Sequence, residues 1–373
     1  MLATPSRAPP PLAHAAPLQN PPSMPSPHPL WLLPLSLLLA AANGTLAQPP
    51  ESTPAAKDAI AASTGAVLRG DGAQALQALT AVPVEEFAGA DRDYRSCMHD
   101  RFARSASPPM VGTIEDPFAR SVLASYQAYW WTALTTPSRK AELETNLQQD
   151  LRKLLGEPAG AAPDFDALEA LLRAELEKRG YHALTGLTPP LRELMLWRKQ
   201  TRRDYDVALP EGPQRVRVEL LDDFVSLGWG AYGRCDRGST GGWATEEALF
   251  AVVPVYKDGL ESDAFQVVFL GHEAQHFADK HRFKDLENWE LEYRAKLVEL
   301  VQAGATLSQK RLGGFITSQG SDPAAPHPYA NKQVVDALAK RLGSSPDTVP
   351  LAQLQDAARE ELFADTRRRL SKH

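Results

Sequence analysis

His272-Glu273-Ala274-Gln275-His276 lies inside a stretch that is apolar on most sides, and no other segment restricts the fold as strongly. From Asp263 onward, Ala264, Phe265, Val267, Val268, Phe269, Leu270, Ala274, Phe277 and Ala278 have the spacing of a buried helix. Asp263 is placed to cap it, with Gln266 three residues on. At 3.6 residues per turn, His272 and His276 stack on one face, and Glu273 projects about 100° round from them. Burying two imidazoles and a carboxylate in so apolar a helix is costly unless a metal or polar partners compensate them. The pattern is that of an HExxH helix, in which two His bind zinc and the Glu acts as base toward its water.

A catalytic zinc needs a third protein ligand and an open position. The HExxHxxGxxH pattern does not supply it, because Asp279 stands where Gly is required and Arg282 where the third His belongs. The next helix, Glu287 to Leu297, offers several carboxylates. Asp285, Asn288, Glu292 and Glu299 share one face, whereas Glu290 lies in the stripe of Trp289, Tyr293 and Leu297. Periodicity leaves the ligand open among them.

His272 to His276 followed by Glu292-Tyr293-Arg294-Ala295 resembles the gluzincin layout, in which a second helix brings a ligand Glu to the HExxH helix. Gly271 to Leu300 also resembles a group of bacterial exported proteins of unassigned function that carry HEAQH and ELEYRAKL segments. The resemblance implies a metal set of His272, His276 and Glu292, one Zn2+ per chain, and Glu273 as the catalytic base of a peptidase. It departs from the family in two places: only 15 residues separate His276 from Glu292, and Lys296 stands where an ExxxD motif has Asp. Glu299 or Asp279 is then left to orient a ligand. Gluzincins commonly stabilise the oxyanion with a Tyr or His, which implies Tyr329 or His327 in the segment His327-Pro328-Tyr329-Ala330-Asn331, expected as a loop before a helix near Gln333 to Leu342.

Charge and composition limit the partners. The 40 basic and 46 acidic side chains leave a net charge of −6 with no basic block, which argues against nucleic acid. A peptide or protein substrate is expected instead. At 373 residues and 43% hydrophobic, the chain can bury a core without metals or disulfides as props.

Before residue 55 the chain holds 14 of its 31 prolines and is not core-forming. Within it, Leu30 to Ala42 is an uncharged run of 13 residues, too short for the ~20 residues a bilayer needs. It has the character of a signal-peptide h-region, with Thr45-Leu46-Ala47 as cleavage site and Met24 as an alternative start. Residues 1–47 are thus expected as a signal peptide and 48–56 as a Pro-rich linker. The protein is expected to be exported, periplasmic or extracellular, with no stable membrane anchor after cleavage. In an oxidising compartment the two cysteines, Cys97 and Cys235, most simply form one disulfide.

Residues 57–203 have a helical texture. Tyr126, Tyr129, Trp130 and Trp131 are too many rings for a solvated face, and Arg139 to Leu155, Phe165 to Arg179 and Leu191 to Arg202 are expected as helices. From residue 204 the pattern changes to strands. Val216, Val218 and Leu220 alternate with charged residues, Phe224 to Trp229 forms a second strand, and Gly228 to Gly233 a tight turn. Leu249 to Tyr256 is expected as an edge strand because of Pro254, with Trp243-Ala244-Thr245 entering it and contacting substrate main chain. The whole predicts an exported α+β zinc metallohydrolase, mainly helical, with a small sheet packed on the HExxH helix and residues 204–373 as its catalytic region. The alternative is a zinc-bearing but inactive exported protein that binds peptide or cell-wall material.

Overall fold

Short-range capping starts the first helices. The side chains of Thr53, Asp71, Asp116 and Asp164 each accept a hydrogen bond from the backbone N–H three residues on. They open α1 (Pro54–Leu68), α2 (Gly72–Thr80), α4 (Pro117–Thr135) and α6 (Phe165–Glu177), between which lie α3 (Gly89–Phe102) and α5 (Lys140–Leu155). The computed structural model describes residues 51–245 and 247–371. The expected signal peptide, 1–47, lies outside them. Of the expected linker, residues 48–50 lie outside the described residues and 54–56 belong to α1, where Pro54 sits in the first turn and its missing N–H costs nothing. No helix among the described residues is long and apolar enough to cross a membrane.

After α6 come β1 (His182–Thr188), β2 (Leu191–Leu209) and β3 (Gly212–Leu227), then α7 (Trp229–Gly233), β4 (Gly242–Ala244) and β5 (Leu249–Val252). The sheet order is β1-β2-β3-β5-β4, parallel only between β3 and β5. The expected helix at Leu191 to Arg202 is therefore strand. Residues 193–197 of it are buried on both faces, with Leu194 and Leu196 in one core and Met195 and Trp197 in another. Such a continuous apolar run has no period to separate strand from helix, and pairing with β1 and β3 decides it. The change of texture near residue 204 falls inside β2, and the described residues pack as one compact unit. Phe224 to Leu227 continues β3 rather than forming a second strand, and Gly228 to Gly233 is the entry and body of α7 rather than a bare turn. β5 stops at Val252 and is interior. Pro254 falls in the 3-10 turn after it, and the edge is β4, which carries Trp243.

The six N-terminal helices cover one side of the sheet's first strands. Tyr126, Tyr129, Trp130 and Trp131 are buried there with Leu191, Leu194, Leu196 and Trp229, and Trp130 donates to the Arg192 carbonyl at 2.8 Å. Cys97 on α3 is bonded to Cys235 just after α7, closing a loop with a sequence separation of 138 residues. A loop of that length makes a bridge worth roughly 4 to 5 kcal/mol by chain entropy.

The C-terminal half adds α8 (Asp263–Phe265), a π-helical turn (Gln266–Gly271), α9 (His272–Arg282), α10 (Asn288–Gln302), α11 (Ala305–Thr317), α12 (Pro326–Leu342) and α13 (Leu351–Leu370). Val218, Leu249 and Ala251 of the sheet share a core with Phe269, with Ala274 of α9 and with Leu297, so the sheet packs on the HExxH helix. The fold is mainly helical α+β, as expected. Ser262 takes the cap position in place of Asp263, which falls in the first turn.

Glu193, on β2, is buried beneath the Gly228 turn, where φ is +87° and a Cβ would collide with its carboxylate. Its Oε1 accepts from the N–H groups of Leu194 and Trp229, but burial outweighs them and pushes its pKa up to about 7. Burial raises Glu169 to about 7 as well. A carboxyl raised in the folded state stabilises the fold fully below its unfolded value of 4.5, and the contribution is lost as pH rises through about 7. For Glu193 that amounts to about 3 kcal/mol at most. Denaturant midpoints measured at pH 5 and pH 8 are expected to fall between the two, and Glu193→Gln to remove part of the fall. An unchanged slope in the variant contradicts this account.

Candidate metal centre

α9 and α10 are set against each other by side-chain packing and by buried charge. At Gly271, the residue before His272, a Cβ would strike the Gln302 side chain of α10. Three residues beyond His276 the pairing turns ionic, with Arg294, fully buried on α10, donating to Asp279 at 2.9 Å, to Asp365 of α13 at 2.9 Å and to Glu211 at 2.6 Å. Glu211 occupies the turn between β2 and β3 and also pairs with Arg282 at 3.1 Å, so the hairpin tip grips the end of α9. A buried arginine is tolerable only when paired in this way. The network fixes the rotation of α10, and with it the direction of Glu292, two residues away.

Glu292 faces both histidines. Its Oε1 lies 3.3 Å from His276 Nε2, and its Oε2 lies 3.5 Å from His272 Nε2. One ligand atom from each of His272, His276 and Glu292 lies within 4.8 Å of the others, and the triad can hold a metal ion. All three residues are at least nine-tenths buried. Burial opposes ionisation of Glu292, but His272, His276 and His327 hold its pKa far below the carboxylate range. For His272, burial opposes protonation, yet Glu292 and Glu299 raise the metal-free imidazole to about 9. His276 Nδ1 is buried without a hydrogen-bond partner, whereas Glu292 Oε2 is flanked by His272, His327 and Lys296.

Behind His272, Nδ1 meets Glu299 Oε1 at 2.6 Å, which turns Nε2 toward Glu292. Arg311 of α11 holds Glu299 through both Nε and Nη2. Of the two expected orienting carboxylates, Glu299 performs this task, and Asp279 is engaged by Gln275 and Arg294 instead. Partners of ligating histidines typically govern 10–100-fold of metal affinity. Glu299→Gln is expected to weaken divalent-metal binding by about that factor, measured by competition with a chromogenic chelator. Equal affinity in variant and wild type contradicts the assignment.

His327 stands at the mouth, its Nδ1 2.8 Å from Glu292 Oε2 and its side chain 66% exposed. Tyr329 turns away, ring edge against Trp289 with centroids 5.0 Å apart. The expected loop around them is the first turns of α12, which begins at Pro326. Glu290 is spent on the capping box of α10 and on Arg369. Lys296, one turn beyond Glu292, puts Nζ 3.5 Å from its Oε2, and burial lowers the pKa of that amine. Its i,i+4 spacing is the one signal by which sequence reasoning could have paired it with Glu292. Glu273 points to another side of α9 and is half-buried; its charge adds to burial in raising the Tyr256 phenol. Among known protein families, characterised proteins and solved structures, none matches this chain.

Proposed function

We propose that the protein is an exported zinc-dependent peptidase. One observation carries the reading: two histidine Nε2 atoms and a carboxylate, all buried, converge on one point beside a half-buried glutamate. Tetrahedral zinc with bonds of about 2.0–2.1 Å sets neighbouring ligand atoms about 3.3 Å apart. The separations of 3.3 and 3.5 Å, one to each oxygen of Glu292, are close to that value, and one ligand atom from each residue falls within a 4.8 Å span that a metal ion would draw together. Zinc, when bound, supplies a Lewis acid and lowers the pKa of water at the site.

The chain's own groups do the rest. Glu273, next to His272 but turned about 100° from the ligand face, takes a proton from water and returns it to the leaving amine. His327 is better placed than Tyr329 to donate a hydrogen bond to the oxyanion, because it reaches Glu292 while Tyr329 packs on Trp289. Edge strand β4, with Trp243 stacked on Phe250 at 5.2 Å, offers main-chain groups to an extended peptide. The Cys97–Cys235 bond supports export, since such bonds persist in oxidising compartments. A peptide library incubated with zinc-loaded protein is expected to be cleaved, and chelation to stop cleavage until zinc is restored. A library left intact by the loaded protein contradicts the proposal and favours a peptide-binding role.

A further inference from the structure

The face of α9 that carries Glu273 continues through Phe277, Lys280 and His281, at i+4, i+7 and i+8, with Lys284 just past the helix end. Phe277, Lys280, His281 and Lys284 line a cavity of about 520 Å³, within the ~300–1,000 Å³ of ordinary ligand pockets. Leu291 of α10, the residue before Glu292, adds to its apolar floor, and Thr245, next after edge strand β4, stands on its far side. The cavity is thus built by the same two helices that hold the metal ligands, and it adjoins the strand along which a peptide would run. Among the described residues no carboxylate lines it, and none pairs with Lys280, His281 or Lys284, whereas neighbouring Arg282 is paired with Glu211. Cations at a helix C-terminus are favoured by its dipole, but that dipole amounts to only about half an elementary charge. Two lysines exceed it several-fold, so the described lining residues carry positive charge over an apolar floor.

We infer that this cavity is a specificity pocket for an acidic side chain, so that the substrate is a peptide with Asp or Glu near the scissile bond and an apolar residue beside it. The inference rests on the peptidase reading for the direction of the substrate. It makes Lys280 and Lys284 the determinants of selectivity and leaves them no part in the chemistry.

The test uses zinc-loaded Glu273→Gln protein, which is expected to hold peptide without cutting it. Fluorescein-labelled peptides differing at one position, Glu, Gln or Lys, are titrated and followed by anisotropy. The Glu peptide is expected to bind about tenfold more tightly than the Gln peptide, with the Lys peptide weakest, and raised salt to shrink the difference. Lys280→Glu/Lys284→Glu is expected to reverse the order, and Lys280→Gln/Lys284→Gln, a milder change at exposed positions, to abolish it. Equal affinities, an unchanged order in both double variants, or no binding at all overturns the inference. Cleavage of a library by wild-type protein separates this from the peptidase reading. Cutting without acidic enrichment removes the pocket and leaves the peptidase; acidic peptides bound but never cut remove the peptidase and leave the pocket.

Discussion

Glu292→Ala protein is expected to lose zinc affinity by about two to three orders of magnitude and to remain folded. The size follows from apparent zinc-binding energies of about 10–16 kcal/mol shared among four ligands, so that one ligand accounts for about 3 to 4 kcal/mol. Glu292 is the only carboxylate of the triad, and it bridges the two Nε2 atoms at 3.3 and 3.5 Å. Its removal leaves two imidazoles and no third donor. Lys296 loses its nearest anion, but burial already lowers its pKa, and it can shed its proton rather than unfold the site. Glu290→Ala is the matched control. Glu290 caps α10 and pairs with Arg369, and its loss should cost some stability while zinc affinity stays within about twofold. A normal affinity in Glu292→Ala would assign the third ligand elsewhere and remove the geometric basis of the proposed function.

Glu273→Gln is expected to keep its zinc and to lose about 10²–10⁴ of peptide turnover, the range that a positioned general base contributes. The two effects divide because Glu273 lies off the metal face: His272, His276 and Glu292 keep all of their contacts in the variant. Gln preserves volume and can still accept a hydrogen bond from water, but it cannot take the proton. Zinc content and turnover measured on one preparation test both halves. A variant as active as wild type would exclude Glu273 as the base, and a variant that loses its metal would make Glu273 part of the metal's support.

The centre was legible where its signals are local. Two histidines four apart in an apolar helix announce a shared ligand face, and α10 is marked by its own capping box and by carboxylates seven residues apart, Glu292 and Glu299, which meet the two ends of His272. The choice of Glu292 over its neighbours came from resemblance rather than from spacing. Arg311 could not be found in the same way, because it reaches Glu299 from a separate helix and no periodicity links them. The same limit explains β2. Its apolar run has no alternation, and only its partners, β1 and a β3 that begins beyond the turn at Glu211, make it a strand. The β4 edge was obscured by Pro254, which rules out a ladder position only where a ladder exists; β5 ends at Val252, before reaching it.

The most direct measurement is zinc per chain, by elemental mass spectrometry, on residues 48–373 produced through an oxidising route and dialysed against trace zinc. The triad predicts a value near one, falling toward zero in His272→Ala/His276→Ala protein that is still folded. A wild-type value near zero would contradict the metal centre and leave His272, His276 and Glu292 as a buried set of hydrogen-bonded side chains.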